Sequence, residues 1–178
     1  MSMIPAQHRN VPTATRGVVQ VRRTIVEQGG GGSSDAVLFQ ATKNGNQSLT
    51  GTAFQDVTGW DTPSIADSDF SFNATTGVLT IQTTGRYQVG FNLTLDQNGG
   101  NNRTSGKARL VLGGSLVKGS ECWGYHRQST HGYDNYSASL FLSLTANDEL
   151  KVQASNLSGS LVQQVLADSA SFWAERKD

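Results

Sequence analysis

The residues best suited to covalent chemistry lie close together between positions 121 and 136. Cys122 is the only cysteine of the chain, and His126 and His131 are the histidines nearest to it in sequence. A cysteine nucleophile also needs a group that orients its base and donors that stabilise an oxyanion. The neighbouring sequence supplies neither, and a lone cysteine is more often a small buried side chain. We therefore predict no catalytic residues and no enzyme activity.

Two groups of residues have side chains that metal ions bind. Two histidines five positions apart without a third strong ligand do not form a zinc pattern, and the spaced oxygens of a calcium loop are incomplete. Phosphate-binding loops and dinucleotide fingerprints are also missing. We predict solvated turns at both places, with no metal and no cofactor. The two groups are His126, His131 and Asp134, and Asp67, Asp69 and Asn73.

The segment from Glu121 to Tyr136 also holds much of the aromatic content of the chain, and its polar composition indicates a loop. Exposed rings beside His, Arg and Asn would form a surface that binds sugar or protein, because rings supply contact area at little entropic cost. The alternative is that the rings cover the end of the domain or pack against a neighbouring subunit. The candidate ligand contacts on an outer surface are Trp123, Tyr125, His126, His131 and Tyr133.

Composition narrows the class of protein. Serine, threonine, asparagine and glutamine account for 60 of the 178 residues, charged residues are 16%, and the net charge is zero. Neutrality argues against a nucleic-acid partner. No run approaches the roughly 18 apolar residues of a membrane span, and no signal peptide is recognisable, so we expect cytosolic synthesis without a membrane partner. This composition is typical of extracellular or virion β-proteins.

The charge is unevenly divided between two parts of the chain. Residues 1–28 carry four arginines and one glutamate, and a Gly/Ser linker follows at 29–34. We predict an extended basic arm, a flexible linker and a domain over 35–178. Val18 to Val26 is rich in β-branched residues and could form one strand against a partner, since the arm has too little apolar surface to fold alone. The residues predicted to anchor the arm are Arg9, Arg16, Val18, Val21, Arg22, Arg23 and Ile25.

Beyond the linker the apolar residues recur with a period of two. From Tyr87 to Leu95 they alternate with polar residues and glycine, and the segment from Ser137 to Leu144 alternates again. Short segments of this kind, separated by turn residues such as those at 43–46 and 98–102, predict eight to ten short strands and no helix. The pattern indicates an all-β antiparallel sandwich or jelly roll.

Three segments resemble the jelly roll of the tumour-necrosis-factor family and of the globular head of the first complement component. Gly85, Tyr87, Val89 and Phe91 match the family's Gly-x-Tyr-x-aliphatic-x-aromatic strand. The segment 140–152 resembles a strand–turn–strand motif, with an asparagine where glycine is usual; asparagine tolerates the left-handed conformation. The ending SASFWAERKD resembles the final strand.

The resemblance implies a homotrimer. If Tyr87, Val89 and Phe91 fill the core, the residues between them point toward the threefold axis in this family. Large apolar residues on such an outward face favour a covered surface over a monomer that leaves the face in water. The predicted trimer contacts are Gln88, Gly90, Asn92, Ser139, Phe141, Ser171 and Trp173.

These features together predict a structural protein of a virus particle, most simply of a tailed phage. The trimer would decorate the capsid as a cement or spike protein, with the arm bound to the major capsid protein. Two alternatives remain open. The domain could be a tail-fibre or tail-tip domain that binds a host surface glycan or protein, although no long shaft separates arm and domain. A secreted cytokine-like or complement-like ligand is disfavoured by the absence of a signal peptide, disulfides and a collagen-like stalk.

Overall fold

The computed structural model describes residues 36–97, 103–126, 132–157 and 163–177. The predicted arm and linker, with all seven anchoring residues, lie outside the described residues. His131 lies outside them as well.

The described residues form fourteen β-strands and no helix, which confirms the predicted all-β class. Five of the strands have only two or three residues, too few for a periodic pattern, and for this reason the sequence predicted fewer strands. The strands are β1 (Leu38–Thr42), β2 (Gln47–Leu49), β3 (Gln55–Asp56), β4 (Ile65–Ala66), β5 (Phe70–Asn73), β6 (Val78–Ile81), β7 (Gly85–Gln97), β8 (Thr104–Leu112), β9 (Ser115–Leu116), β10 (Cys122–His126), β11 (Tyr133–Leu144), β12 (Glu149–Asn156), β13 (Gln163–Val165) and β14 (Ser171–Arg176).

The strands form two antiparallel sheets. In the first sheet, the thirteen-residue β7 pairs with β11 along one edge and with β14 and then β13 along the other. Strand β1 follows β14, β4 follows β1, and β2 follows β13. The second sheet has the order β10-β8-β12-β6-β5, with β3 beside β12 and β9 beside β8. Strand β11 is thus the edge strand of the first sheet next to β7, and β10 is an edge strand of the second.

The core lies between the sheets and follows from the predicted alternation. Tyr87, Val89 and Phe91 are at most 1% exposed, and Leu93 and Leu95 continue the buried row. An aromatic cluster fills the space at β1, β5 and β14, with ring centroids 4.9 to 6.4 Å apart in tilted or edge-on pairs, the geometry that ring quadrupoles favour. Its members are Phe39, Trp60, Phe70, Phe72 and Phe172.

The turn between β11 and β12 has the conformation that its sequence predicted. Asn147 has a φ of 73°, and among the described residues it is the one non-glycine residue with a positive φ. Its amide donates to Ile81 O at 2.8 Å, and the Asp148 carboxylate accepts from Thr145 N at 2.8 Å. Asparagine therefore substitutes for glycine here at low steric cost.

The segment from Glu121 to Tyr136 is not the loop that its composition predicted. Cys122 to His126 form β10, and β11 begins at Tyr133. The residues that point inward from β10 are Cys122, Gly124 and His126, whereas the two aromatic residues point outward. On this strand the aromatic residues face outward and the glycine and histidine face inward, the reverse of the usual pattern. A search for buried apolar residues at every second position therefore does not detect it.

Candidate self-association surface

The outer face of the first sheet brings together the residues predicted as trimer contacts. On this face Gly90 of β7 is paired with Ser139 of β11 and with Trp173 of β14. The next row toward one end joins Phe141, Gln88 and Glu175, and the row toward the other end joins Ser137, Asn92 and Ser171. All seven predicted residues therefore lie on three adjacent rows, which we call the candidate surface. That they contact a second chain stays a prediction.

Small side chains flatten the centre of the candidate surface. The Trp173 indole lies across Gly90, where a Cβ atom would be 2.6 Å from the indole Cε2 and 2.8 Å from Ala138 O. No side chain fits in this space, so glycine is required for the ring to lie flat on the sheet. Beside it, Gln88 Nε2 donates to Ser139 Oγ at 3.0 Å. The middle of the sheet is thus a shallow surface that another chain can approach closely.

Phe141 stands on this face at the edge strand β11 and is 74% exposed, more than any other large hydrophobic side chain described. Tyr133, at the other end of β11, has the same orientation and is 66% exposed, with Asp96 as its partner across the strands. The sequence grouped Tyr133 with Trp123 and Tyr125. Strand β11 instead places Tyr133 on the same face as Phe141. Residues an even number of positions apart on a strand share a face, so the sequence could have revealed this placement.

A shallow cavity of about 220 Å³ opens at the opposite side of the same face, between β14, β1 and β4. We call this cavity the socket. Its outward side chains come from Leu38 and Gln40 on β1, Ile65 on β4, and Trp173 and Glu175 on β14. Phe39 and Ala174 complete its lining.

Trp123 and Tyr125 lie on a different surface, the outer face of the second sheet. They are 67% and 56% exposed and point the same way from the edge strand β10. The Lys107 ammonium lies 3.3 Å from the centroid of the Trp123 ring and 3.3 Å from a Glu121 carboxylate oxygen. Such an arrangement of two rings and a cation can bind a sugar or a peptide.

His126 is a correction to the predicted ligand contacts, because its side chain is fully buried. Its Nδ1 lies 3.1 Å from Gln163 Nε2, and its Nε2 has no hydrogen-bond partner among the described residues. Burial lowers the pKa of His126, although the carboxylates of Asp134 and Asp96 partly oppose the shift. A neutral buried imidazole cannot contact a ligand at the surface.

The described contacts of Cys122 are not those of a nucleophile. Its thiol donates to Ser137 O at 3.0 Å, and burial raises its pKa, which keeps it protonated. The thiolate is the reactive form, so the geometry favours a structural role for this side chain.

The candidate calcium ligands are engaged with protein donors. Asp67 accepts from Leu38 N at 2.6 Å, and Asn73 accepts from Thr76 N at 3.1 Å. Asp69 accepts from Arg176 and from Thr83, and the Arg176 hydrogen bond holds the pKa of Asp69 below its usual range. Within the described ranges, no three His, Cys, Asp or Glu side chains converge as metal ligands. The same ranges contain no helix long and apolar enough to span a membrane.

Neither a protein-family model nor a curated protein sequence matches the chain. Its backbone is nevertheless similar to solved structures. Eiger TNF from S. frugiperda superposes with a TM-score of 0.56 at 14% identity, over 80% of this chain and 93% of that one. Murine APRIL gives 0.54 at 10% identity, over 80% and 99%. The globular domain of zebrafish complement 1qA protein gives 0.50 at 17% identity, over 77% and 94%.

The domain has the TNF-like jelly-roll fold. At these identities the likeness concerns the backbone, and it confirms the predicted fold class. It does not assign a ligand or a partner to the chain.

Proposed function

We propose that this protein is a homotrimeric, non-enzymatic structural protein of a virus particle, which decorates the capsid and is anchored to the major capsid protein by its N-terminal arm. The candidate surface is the observation that supports assembly into a trimer. It combines small side chains at its centre with exposed Phe141 at its edge, and exposed Tyr133 lies farther along the same sheet face. Such a surface is typical of a face that another subunit covers. Self-association is also consistent with the fold.

The charge and composition of the N-terminal arm support its attachment to the capsid. It carries a net charge of +3 ahead of a domain of net charge −3, and its β-branched segment can add a strand to an exposed sheet edge of a partner. Arg9, Arg16, Arg22 and Arg23 would pair with acidic groups on the capsid. A trimer presents three such arms, so contacts that are individually weak hold firmly together.

The experiment compares the full chain with a chain that lacks residues 1–28. Each is added to purified virus particles from which the native protein is absent. The full trimer should bind at regular positions on the capsid that electron cryomicroscopy resolves, and the truncated trimer should stay in solution. Replacing the four arginines with glutamine is the matched control for charge, and it should weaken binding in a salt-dependent manner. Binding of the truncated trimer at the occupancy of the full chain would refute the anchoring role.

A second candidate function is adhesion at a tail tip or fibre, and the exposed pair Trp123 and Tyr125 favours it. In that case the outer face of the second sheet would bind a host glycan or protein. A glycan array and a host-cell binding assay test this directly. Trp123→Ala and Tyr125→Ala should abolish binding. Leu116→Ala, which changes a 42% exposed residue of the same sheet, should not.

A further inference from the structure

Phe141 and the socket lie at opposite ends of one row of the first sheet. Strand pairing joins Phe141 to Gln88, Gln88 to Glu175 and Glu175 to Leu38, and Leu38 lines the socket. Three strand spacings separate the ends of this row, about 14 Å. The Phe141 side chain therefore cannot reach the socket of its own chain.

The socket suits an aromatic ring. Its volume of about 220 Å³ exceeds the roughly 150 Å³ in which an apolar protein cavity accommodates benzene. Leu38, Ile65 and the Trp173 indole supply apolar walls, and an edge-on or offset contact between Trp173 and an incoming phenyl ring is a favoured aromatic geometry.

We propose that Phe141 of each copy inserts into the socket of the next copy around the threefold axis. This inference rests on the proposed trimer and identifies the contact that closes it. Each chain offers one ring and one socket on the same face, so a single contact between two copies leaves one ring and one socket unused. Two reciprocal contacts about a twofold axis would fill every ring and socket, and so would head-to-tail contacts that close after three copies. The number three therefore comes from the proposed trimer, and the cross-linking experiment below distinguishes the two arrangements.

A cross-linking experiment tests the contact in the full-length protein. Cys122 is first replaced with serine, and cysteines are then introduced at two exposed positions as Ser143→Cys, two residues from Phe141 on the same face of β11, and Gln40→Cys, so that the Phe141 ring is kept. A short bis-maleimide reagent cannot span the row within one chain, so covalent products report contacts between copies. We expect a product that stops at three linked chains. A product that stops at two chains, or the absence of linked chains at concentrations where the protein is assembled, would overturn the proposal.

Substitution at each side of the contact provides an independent test. Phe141→Ser removes the ring, and Gln40→Trp fills the socket from an exposed position of β1. Each should weaken association about tenfold to a hundredfold per contact, and the two together should cost little more than either alone, because both remove the same contact. Trp123→Ser removes a ring of similar exposure from the other sheet and should leave association unchanged. Equal effects of Phe141→Ser and Trp123→Ser would overturn the proposal.

The two proposals fail in different ways. If the wild-type protein is a monomer at high concentration, the proposed trimer fails and this contact fails with it. If the wild-type protein is a trimer that Phe141→Ser and Gln40→Trp leave intact, the trimer stands and the contact between Phe141 and the socket is refuted.

Discussion

The outer faces of the two sheets differ in the hydrogen bonds and ion pairs that their polar and charged side chains form. On the second sheet, Arg109 donates to Gln153, Gln153 donates to Asp56, and Lys151 forms an ion pair with Asp56 at 3.0 Å. Arg109 also covers the Phe54 ring at 3.7 Å. The charged groups of this network thus find their partners within the chain.

The centre of the first sheet is built differently. Its central row has Ser139, Gly90 and Trp173, whose indole lies flat across Gly90, and Phe141 stands at the β11 edge. A face whose charges are paired internally is stable in water, whereas a low face with exposed rings gains free energy when another surface covers it. We therefore propose the first sheet as the assembly face and the second sheet, with exposed Trp123 and Tyr125, as a face toward solvent or a ligand.

The largest expected difference between the faces concerns their tryptophans. Trp173→Ala should reduce the free energy of unfolding of the assembled protein by about 3 kcal/mol, because the indole packs on Gly90 and lines the socket. Trp123→Ala should change it by less than about 0.5 kcal/mol. Urea unfolding at high protein concentration measures both values, and similar losses for the two variants would remove the distinction.

A smaller effect is expected at Gly90. Gly90→Val places a side chain where the Trp173 ring lies, and such overpacking costs about 1–3 kcal/mol. The control is Asn92→Val, two residues along the same strand on the same face, where the side chain is exposed. The free energy of unfolding should fall only for the glycine variant, and a fully stable Gly90→Val would contradict the described packing.

The pH dependence of stability separates the core from both faces. Because the folded pKa of His126 is lowered by burial, the folded state binds fewer protons than the unfolded state. Its contribution to stability is complete above the ordinary histidine pKa of about 6.5 and declines as the pH falls below that value. In the His126→Gln variant, the urea midpoint of unfolding should change less between pH 7 and pH 5 than it does in the wild-type protein. A His126→Gln variant whose urea midpoint keeps the wild-type dependence on pH would show that burial of this imidazole does not contribute to it.

The smallest effect is expected for Asp56→Asn on the second sheet. Burial raises the pKa of this carboxyl, but hydrogen bonds from Gln153 and Lys151 outweigh burial and hold the pKa below its usual value. The pair is partly exposed, so removing the charge should cost about 0.5–1 kcal/mol and leave the mass of the assembly unchanged. A change in that mass, measured by light scattering, would show that the second sheet also takes part in assembly.

The parts of the fold that the sequence predicted are those in which apolar residues point inward. The alternation from Tyr87 to Leu95 identified β7 and its buried face, and Asn147 identified the turn after β11. Because alternation also specifies the opposite face, the sequence grouped Gln88, Gly90 and Asn92 without any structure. Their alignment with Ser139 and Trp173 depends on the register between strands, which strand periodicity alone does not supply.

The parts that the sequence missed are those in which this rule is reversed. Strand β10 exposes its tryptophan and tyrosine and buries a histidine, with Gly124 held against Asp134 and Tyr136 of β11. The socket was also beyond prediction, since β1, β4 and β14 are adjacent only after the chain has folded. Its lining residues are far apart in sequence, and no local pattern joins them.

The mass of the full-length protein in solution is the most direct test of the central claim, that the outer face of the first sheet is covered by copies of the same chain. Sedimentation equilibrium over a range of concentrations measures it. We predict three times the 19.0 kDa chain mass for the wild-type protein and a shift toward single chains for Phe141→Ser. A wild-type protein that stays at 19.0 kDa at every concentration would show that copies of the chain do not cover this face.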